Sequence, residues 1–248
     1  MYELEKKDLT IPLNFLESIY LKQLMTAGIH YGHQVQSWNP KMSEFIYTQK
    51  NGIHILDLLK TLSCLQNACQ YLFKLSQEKK NFLFIGTKYQ ASKLIETQAQ
   101  ICGAHFVNSR WLGGMLTNWS TIKTRIETLN KLENKYQQNK FGDLPKKEAS
   151  FLIRQLITLQ KNLGGVKSMT QLPDCVICID PNREAIAISE CKKLKIPVVG
   201  LIDTNCNPEL IDFPIPANDD AVRSINYILT KLTDSILAAR AYSMFQKI

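Results

Sequence analysis

Val107 to Trp119 reads VNSRWLGGMLTNW, with Arg110 beside one tryptophan, Asn118 beside another and a Gly-Gly pair between them. An arginine next to a large aromatic at a flexible turn can grip a flat ligand. The same residues can instead make a tight corner packed by its own side chains. His30 and His33, in GIHYGH, have a spacing that would present two metal ligands on a helix. Gly28 and Gly32 argue against a regular helix, and no second ligand pair lies nearby in sequence, so no metal is expected. Cys175 and Cys178 look like a metal or redox pair, but they lie within the apolar run CVICID. That run reads as a buried strand, on which residues three apart point to opposite faces. The seven cysteines are scattered through apolar surroundings, as free thiols in a reducing compartment would be.

Lys88, Asp180 and Asp203 form a third group, each just beyond an apolar run. At the carboxyl edge of a sheet they could hold a ribose and a phosphate. However, Gly86-Thr87-Lys88 lacks the remaining glycines of either phosphate-cradling motif, and Asp-Pro-Asn and Asp-Thr-Asn are ordinary turn formers. No nucleophile elbow and no Ser/His/Asp set can be placed, so no catalytic residue and no cofactor are expected. An α/β enzyme or sensor binding a nucleotide or sugar phosphate at that edge is the alternative reading.

The elements around these residues alternate. NFLFIG, HFVN, CVICID and PVVGLID are short apolar runs, and ASKLIETQAQICG and REAIAISECKKLK between or after them are helical. Strands apolar on both faces, separated by helices, predict a largely parallel sheet covered by helices. A last helix is expected over about residues 219–240, begun by the acids of NDD. The middle of the chain has a different period. Ile122, Ile126, Leu129, Leu132 and Tyr136 recur at helical spacing, as do Leu152, Leu156, Leu159 and Leu163. Gly142 and Pro145 break the pattern between them, which predicts an antiparallel helical hairpin with a coiled-coil seam, stopped at Gly164-Gly165.

Charge is concentrated in that hairpin. Residues 118–168 hold ten basic and four acidic side chains, six of the eight net positive charges in the 248-residue chain. Such a projection suits a polyanion, although a solvated, lysine-rich helix pair has the same composition. At 45% hydrophobic content the chain can bury a sizeable core, and no stretch is apolar enough to span a bilayer. Its first residues, MYELEKKDLTIPLNF, read as neither a secretory signal nor a transit peptide.

Taken together, AGIHYGHQVQSWNPKMSEFIYTQKNGIHILDLLKT (Ala27 to Thr61), FIGTKYQA, VNSRWLGGMLTNWSTI, LGGVKSMTQLPD, IPVVGLIDTNCNP and IDFPIPANDDAVRSI closely resemble, in order and separation, the ribosomal protein S2 family. The resemblance runs from about Leu24 to Leu232. It implies an α/β, flavodoxin-like or Rossmann-like fold with an inserted helical hairpin and no enzymatic activity. The implied organisation is an N-terminal extension at residues 1–20, an α/β domain at 21–116 and 169–248, and the basic hairpin at 117–168. It implies a place between the head and body of the small ribosomal subunit, on ribosomal RNA. Neighbouring small-subunit proteins, including the messenger-binding protein S1, are the other implied partners, with no membrane and no homo-oligomer. Ala217 in PANDDA, where bacterial members usually carry glycine, together with TNWST and DTNCNPEL, is similar to plastid-encoded members. A plastid (chloroplast) stroma is therefore expected, with a bacterial cytoplasm as the alternative. The residues expected to contact RNA, basic or aromatic and in or beside the family motifs, are His33, Trp38, Asn39, Lys41, Lys50, Lys88, Arg110, Trp111 and Lys123.

Overall fold

The computed structural model describes residues 21–142 and 144–245, so the expected extension at residues 1–20 lies outside it. A short helix, α1 (Leu21–Thr26), precedes three strands: β1 (Tyr31–Gln34), β2 (Ile46–Lys50) and β3 (Ile53–Leu56). They pair antiparallel in the order β1-β3-β2, a small sheet that the apolar-run reading does not contain. Its strands are short and mostly exposed, so no run of apolar residues announces them. Helix α2 (Leu58–Gln77) follows, capped by Asp57, whose carboxylate accepts the Leu59 N–H at 2.9 Å.

The main sheet then begins. β4 (Phe82–Ile85), α3 (Tyr89–Ile101) and β5 (His105–Val107) precede the hairpin helices α4 (Trp119–Asn139) and α5 (Lys146–Leu163). β6 (Cys175–Ile179), α6 (Ala185–Leu194), β7 (Val198–Ile202), β8 (Phe213–Pro216) and α7 (Val222–Phe245) complete the described chain. The five strands are all parallel, in the order β5-β4-β6-β7-β8. Counted along the sheet's own strands that is 2-1-3-4-5, the flavodoxin-like order.

Every residue of β4, β6 and β7 is buried, because both faces are covered. Val176 and Cys178 face a core shared with the corner, the hairpin and α6. Cys175, Ile177 and Ile179 face the opposite core, beneath α2, α3 and α7. Cys175 and Cys178 are thus on opposite sides of the sheet, and burial pushes both thiols well above their usual range. The strand not foreseen is β8, where Pro214 and Pro216 speak against a paired strand. Ala217 N–H donates to Ile202 O at 2.9 Å, so the odd positions face β7 and the two prolines fall on the free edge. There a missing N–H leaves nothing unpaired and blunts the edge against other chains.

Ile122, Ile126, Leu129 and Leu132 of α4 are buried, as are Leu156 and Leu163 of α5, and these residues continue into the core on one sheet face. The break between the helices uses Lys140 and Phe141, both at positive φ, with the Phe141 ring buried as a plug. Gly165 brings the hairpin back to the sheet: a Cβ there would lie 2.2 Å from the Phe106 carbonyl oxygen of β5. Gly165→Ala is expected to cost about 2–3 kcal/mol, since backbone must separate from backbone. A loss below about 0.5 kcal/mol in urea unfolding would show that the contact is not this tight.

The last helix starts at Val222, later than its acids suggest. Asn218 supplies the turn before it, its Oδ1 accepting the N–H groups of Asp220 (2.8 Å) and Ala221 (2.9 Å). Asp219 instead turns inward and is fully buried. No described helix is long and apolar enough to cross a membrane.

Candidate nucleic-acid interface

The corner between β5 and α4 is organised by one residue. Glu190, on α6 and 5% exposed, accepts from Trp111 Nε1 (3.0 Å), Gly114 N (2.8 Å), Leu116 N (2.9 Å), Thr117 N (3.0 Å) and Thr117 Oγ1 (3.1 Å). Burial alone would raise its pKa, but the donors outweigh burial and hold the carboxyl below its ordinary value. Gly114 makes the turn at φ +83°, and Asn118 N closes it onto Gly114 O at 2.8 Å. Trp111 is therefore an internal anchor, 8% exposed, whereas Arg110 next to it is exposed.

The carboxyl edge of the sheet holds a second charged cluster. Lys88 Nζ lies 2.6 Å from Asp219 Oδ1 and 2.6 Å from Asp220 Oδ1, with Asp180 Oδ2 at 3.9 Å. Its side chain is only 11% exposed. His33 reaches the same cluster, Nδ1 being 3.1 Å from Asp203 Oδ2 and Nε2 3.5 Å from Asp220 Oδ2. Burial and the like charge of Asp203 push the Asp219 carboxyl up to about 6. The segment carrying His33 lies across this edge: His33 N donates to Thr204 Oγ1 (2.9 Å) and Asn39 N to Thr204 O (2.8 Å). Gly32 permits the approach, since a Cβ there would sit 2.5 Å from Thr204 Cγ2. An imidazole and the carboxylates of Asp203 and Asp219 offer ligand atoms within 4.8 Å of one another, a donor set that could hold a divalent cation. The sequence hides this set because Asp203 and Asp219 are far from His33 along the chain.

The remaining expected contact residues fall in several places. His33, Asn39, Lys41 and Lys88 gather along the carboxyl edge on the β7 and β8 side. There Lys41 is paired with Glu209, and the Asn39 side chain accepts Lys41 N at 3.0 Å to cap the 3-10 turn Pro40–Phe45. Trp38 is 37% exposed and packs against the buried His54, ring centroids 5.2 Å apart. Lys50 is exposed at the end of β2, and Lys123 is exposed near the start of α4. Lys88, His33 and Trp111 thus have internal partners, whereas Arg110, Lys50 and Lys123 project outward.

Two residues that organise these sites escape the sequence reading. Glu190 carries a signal, an acid within the buried stripe Ala187, Ile188 and Cys191 of a helix. Arg183 carries none. It follows β6, its Nε donating to Thr87 Oγ1 at 3.1 Å, while Thr87 Oγ1 and N donate to Glu184 Oε1 at 2.5 and 2.8 Å. These residues, with Ser109 and Arg110, line a cavity of about 360 Å³. Gly86 beside it serves packing rather than a phosphate cradle, since a Cβ there would lie 2.3 Å from Ile95 Cδ1.

A flavodoxin-like sheet with ion pairs along the β7 and β8 side of its carboxyl edge, carrying a basic hairpin on a braced corner, has the form of a scaffold that presents positive charge. The chain belongs to the ribosomal protein S2 family, whose model matches residues 24–239. It is 54% identical to small ribosomal subunit protein uS2c of Rhodomonas salina over 88% of this chain and 90% of that one. It is 52% identical to uS2c of Emiliania huxleyi, over 90% of this chain and 97% of the relative. Against small ribosomal subunit protein uS2 of Nostoc punctiforme it is 51% identical, over 90% of this chain and 84% of the relative.

Proposed function

We propose that this protein is a structural constituent of the small ribosomal subunit that binds ribosomal RNA between head and body and has no catalytic step. The observation that carries the reading is the family match over residues 24–239, which takes in both the sheet and the hairpin. The charge supports it: the hairpin holds most of the chain's positive excess, and lysines and arginines there neutralise backbone phosphates and release counterions. Helical RNA is read through its shape and backbone rather than its base edges, which suits exposed basic side chains. Arg110, Lys50 and Lys123 are the direct contacts in this reading, with Trp38, Asn39 and Lys41 at the rim. His33, Lys88 and Trp111 shape the surface from within. The protein binds as a single copy among neighbouring small-subunit proteins, S1 included. Its relatives include uS2c proteins and uS2 of Nostoc, which supports a ribosome of a plastid, in the stroma, or of a bacterium.

Sedimentation of the tagged protein from its native extract tests this. Co-migration with small-subunit RNA, lost as salt rises, is the expected result; migration as a free protein at both salts would overturn it. Lys123→Glu is expected to lower the salt dependence of RNA binding by about one contact, weakening all RNA sequences alike. An unchanged slope of log affinity against log salt removes Lys123 from the interface.

A further inference from the structure

The described basic side chains divide by whether a carboxylate already holds them. Lys41, Lys80, Lys88 and Lys167 are each within 4.0 Å of an acid. Neither Arg110 nor Arg183 forms such an ion pair among the described residues, although the Arg183 charge acts on the neighbouring Glu184 carboxyl, and both arginines are exposed. Yet these two arginines, far apart in sequence, line the same cavity of about 360 Å³.

The fold explains the meeting. In the strand order 2-1-3-4-5 the crossovers leave the sheet to opposite sides between β4 and β6, opening a crevice at the carboxyl ends of those strands. Thr87 follows β4 and Arg183 follows β6, so both line that crevice, and Arg110 arrives from beyond the neighbouring strand β5. Arg183 is aimed by its neighbours. Its Nε donates to Thr87 Oγ1, and that hydroxyl is fixed because it donates its proton to the Glu184 carboxylate. Glu184 is 3% exposed and also accepts Thr87 N, so it forms the floor of the site. The outer guanidinium N–H groups of Arg183 are left for a ligand. Arg110 reaches the same cavity from the corner that Glu190 braces, immediately before the anchored Trp111. Two planar forks lining one cavity suit a tetrahedral anion with several acceptor oxygens.

We propose that Arg110 and Arg183 clamp one phosphate of the RNA backbone at the mouth of this crevice, an inference that rests on the RNA-binding reading above and adds Arg183 to it. A phosphodiester, rather than a free phosphate or nucleotide, is the occupant that the exposure of both arginines favours, since a backbone passes across an open mouth without entering the cavity. A single shared phosphate has a signature. Either arginine alone holds the anion poorly, so the two substitutions should not add.

The test is filter binding of purified small-subunit ribosomal RNA to the full chain and to Arg110→Ala, Arg183→Ala and the double variant, across a salt series. Each single variant is expected to weaken binding about tenfold at low salt, the loss of one charge-assisted contact. The double variant should fall within about threefold of the weaker single, and all three should lose about one unit of salt slope. Losses that multiply to about a hundredfold in the double variant would mean two separate contacts and would overturn the clamp. Single variants that bind like the native chain overturn it as well, while the RNA-binding reading survives. A native chain with no salt-dependent RNA binding sinks both. Should Arg183→Ala disturb Thr87, seen as a loss of stability in urea, Arg183→Gln takes its place in the comparison, since its amide can still donate to Thr87 Oγ1 while lacking the charge and the fork. If inorganic phosphate or ATP raises the Tm of the native chain but not of the double variant, and RNA binding is unchanged, the crevice is a free-phosphate site and the clamp is wrong.

Discussion

Glu190→Ala is expected to cost at least about 4 kcal/mol of folding stability, a large part of the roughly 5–15 kcal/mol that holds a domain together. Five donors converge on this carboxylate, and alanine offers none of them an acceptor. All five belong to the corner, and four of them, three backbone N–H groups and the indole, have little water to turn to. Each buried donor left unpaired costs about 1–3 kcal/mol, so even partial rehydration leaves a large loss. Glu190→Gln should be intermediate, keeping one acceptor oxygen while placing an NH2 against N–H donors. The titration gives a second signature. The folded pKa lies below the ordinary glutamate value, so the carboxylate's contribution is fully present above that ordinary value. It is lost as pH falls through the lowered one. The native chain should therefore lose stability in acid more steeply than Glu190→Gln. Urea unfolding across pH checks both statements, and an alanine variant within about 1 kcal/mol of the native chain would show that the corner does not depend on Glu190.

Lys88→Met is expected to cost about 3–5 kcal/mol, the usual result of removing one partner from a buried ion pair. Asp219 is 0% exposed, and without Lys88 its carboxylate would face Asp203 and Asp180 with no cation on Oδ1. The damage should be local. Faster hydrogen exchange is expected in the segment from His33 to Asn39, which crosses this edge, and in the start of α7. Measured at a temperature where the variant is folded, its RNA affinity should stay within about threefold of native, because the lysine's charge is already matched by acids. A large drop in RNA affinity with stability unchanged would return Lys88 to the list of direct contacts. Lys123→Glu should behave in the opposite way, sparing stability and weakening RNA binding.

The contrast between these two lysines marks how far residue type alone reaches. Lys88, Lys123, Arg110 and Trp111 share the chemistry of RNA-contacting residues and stand in or beside characteristic motifs. Only the fold separates Lys88, enclosed by three carboxylates from distant loops, from Lys123 on an open helix face. Trp111 is separated from Arg110 by a single peptide bond, and one is buried while the other is exposed.

What the sequence determined by itself is everything that depends on neighbours along the chain. Apolar runs such as FLFI and CVICI specify strands buried on both faces, since they are too short for a buried helix and rich in the aromatic and β-branched residues that suit a central strand. The period of Ile122, Ile126, Leu129 and Leu132 specifies one buried stripe and hence the hairpin. The clustering of lysines specifies where the field is positive. What the tertiary structure alone decided is which charges are cancelled and which are free. That depends on pairs such as His33 with Asp203, Glu190 with Trp111, and Arg183 with Thr87, separated by scores of residues and joined by the crossovers of the sheet. Coulomb interactions and hydrogen bonds act over a few ångströms of space, whatever the distance along the chain. The same reason left β8 and the three-stranded sheet unread, because their strands are defined by partners rather than by any pattern of their own.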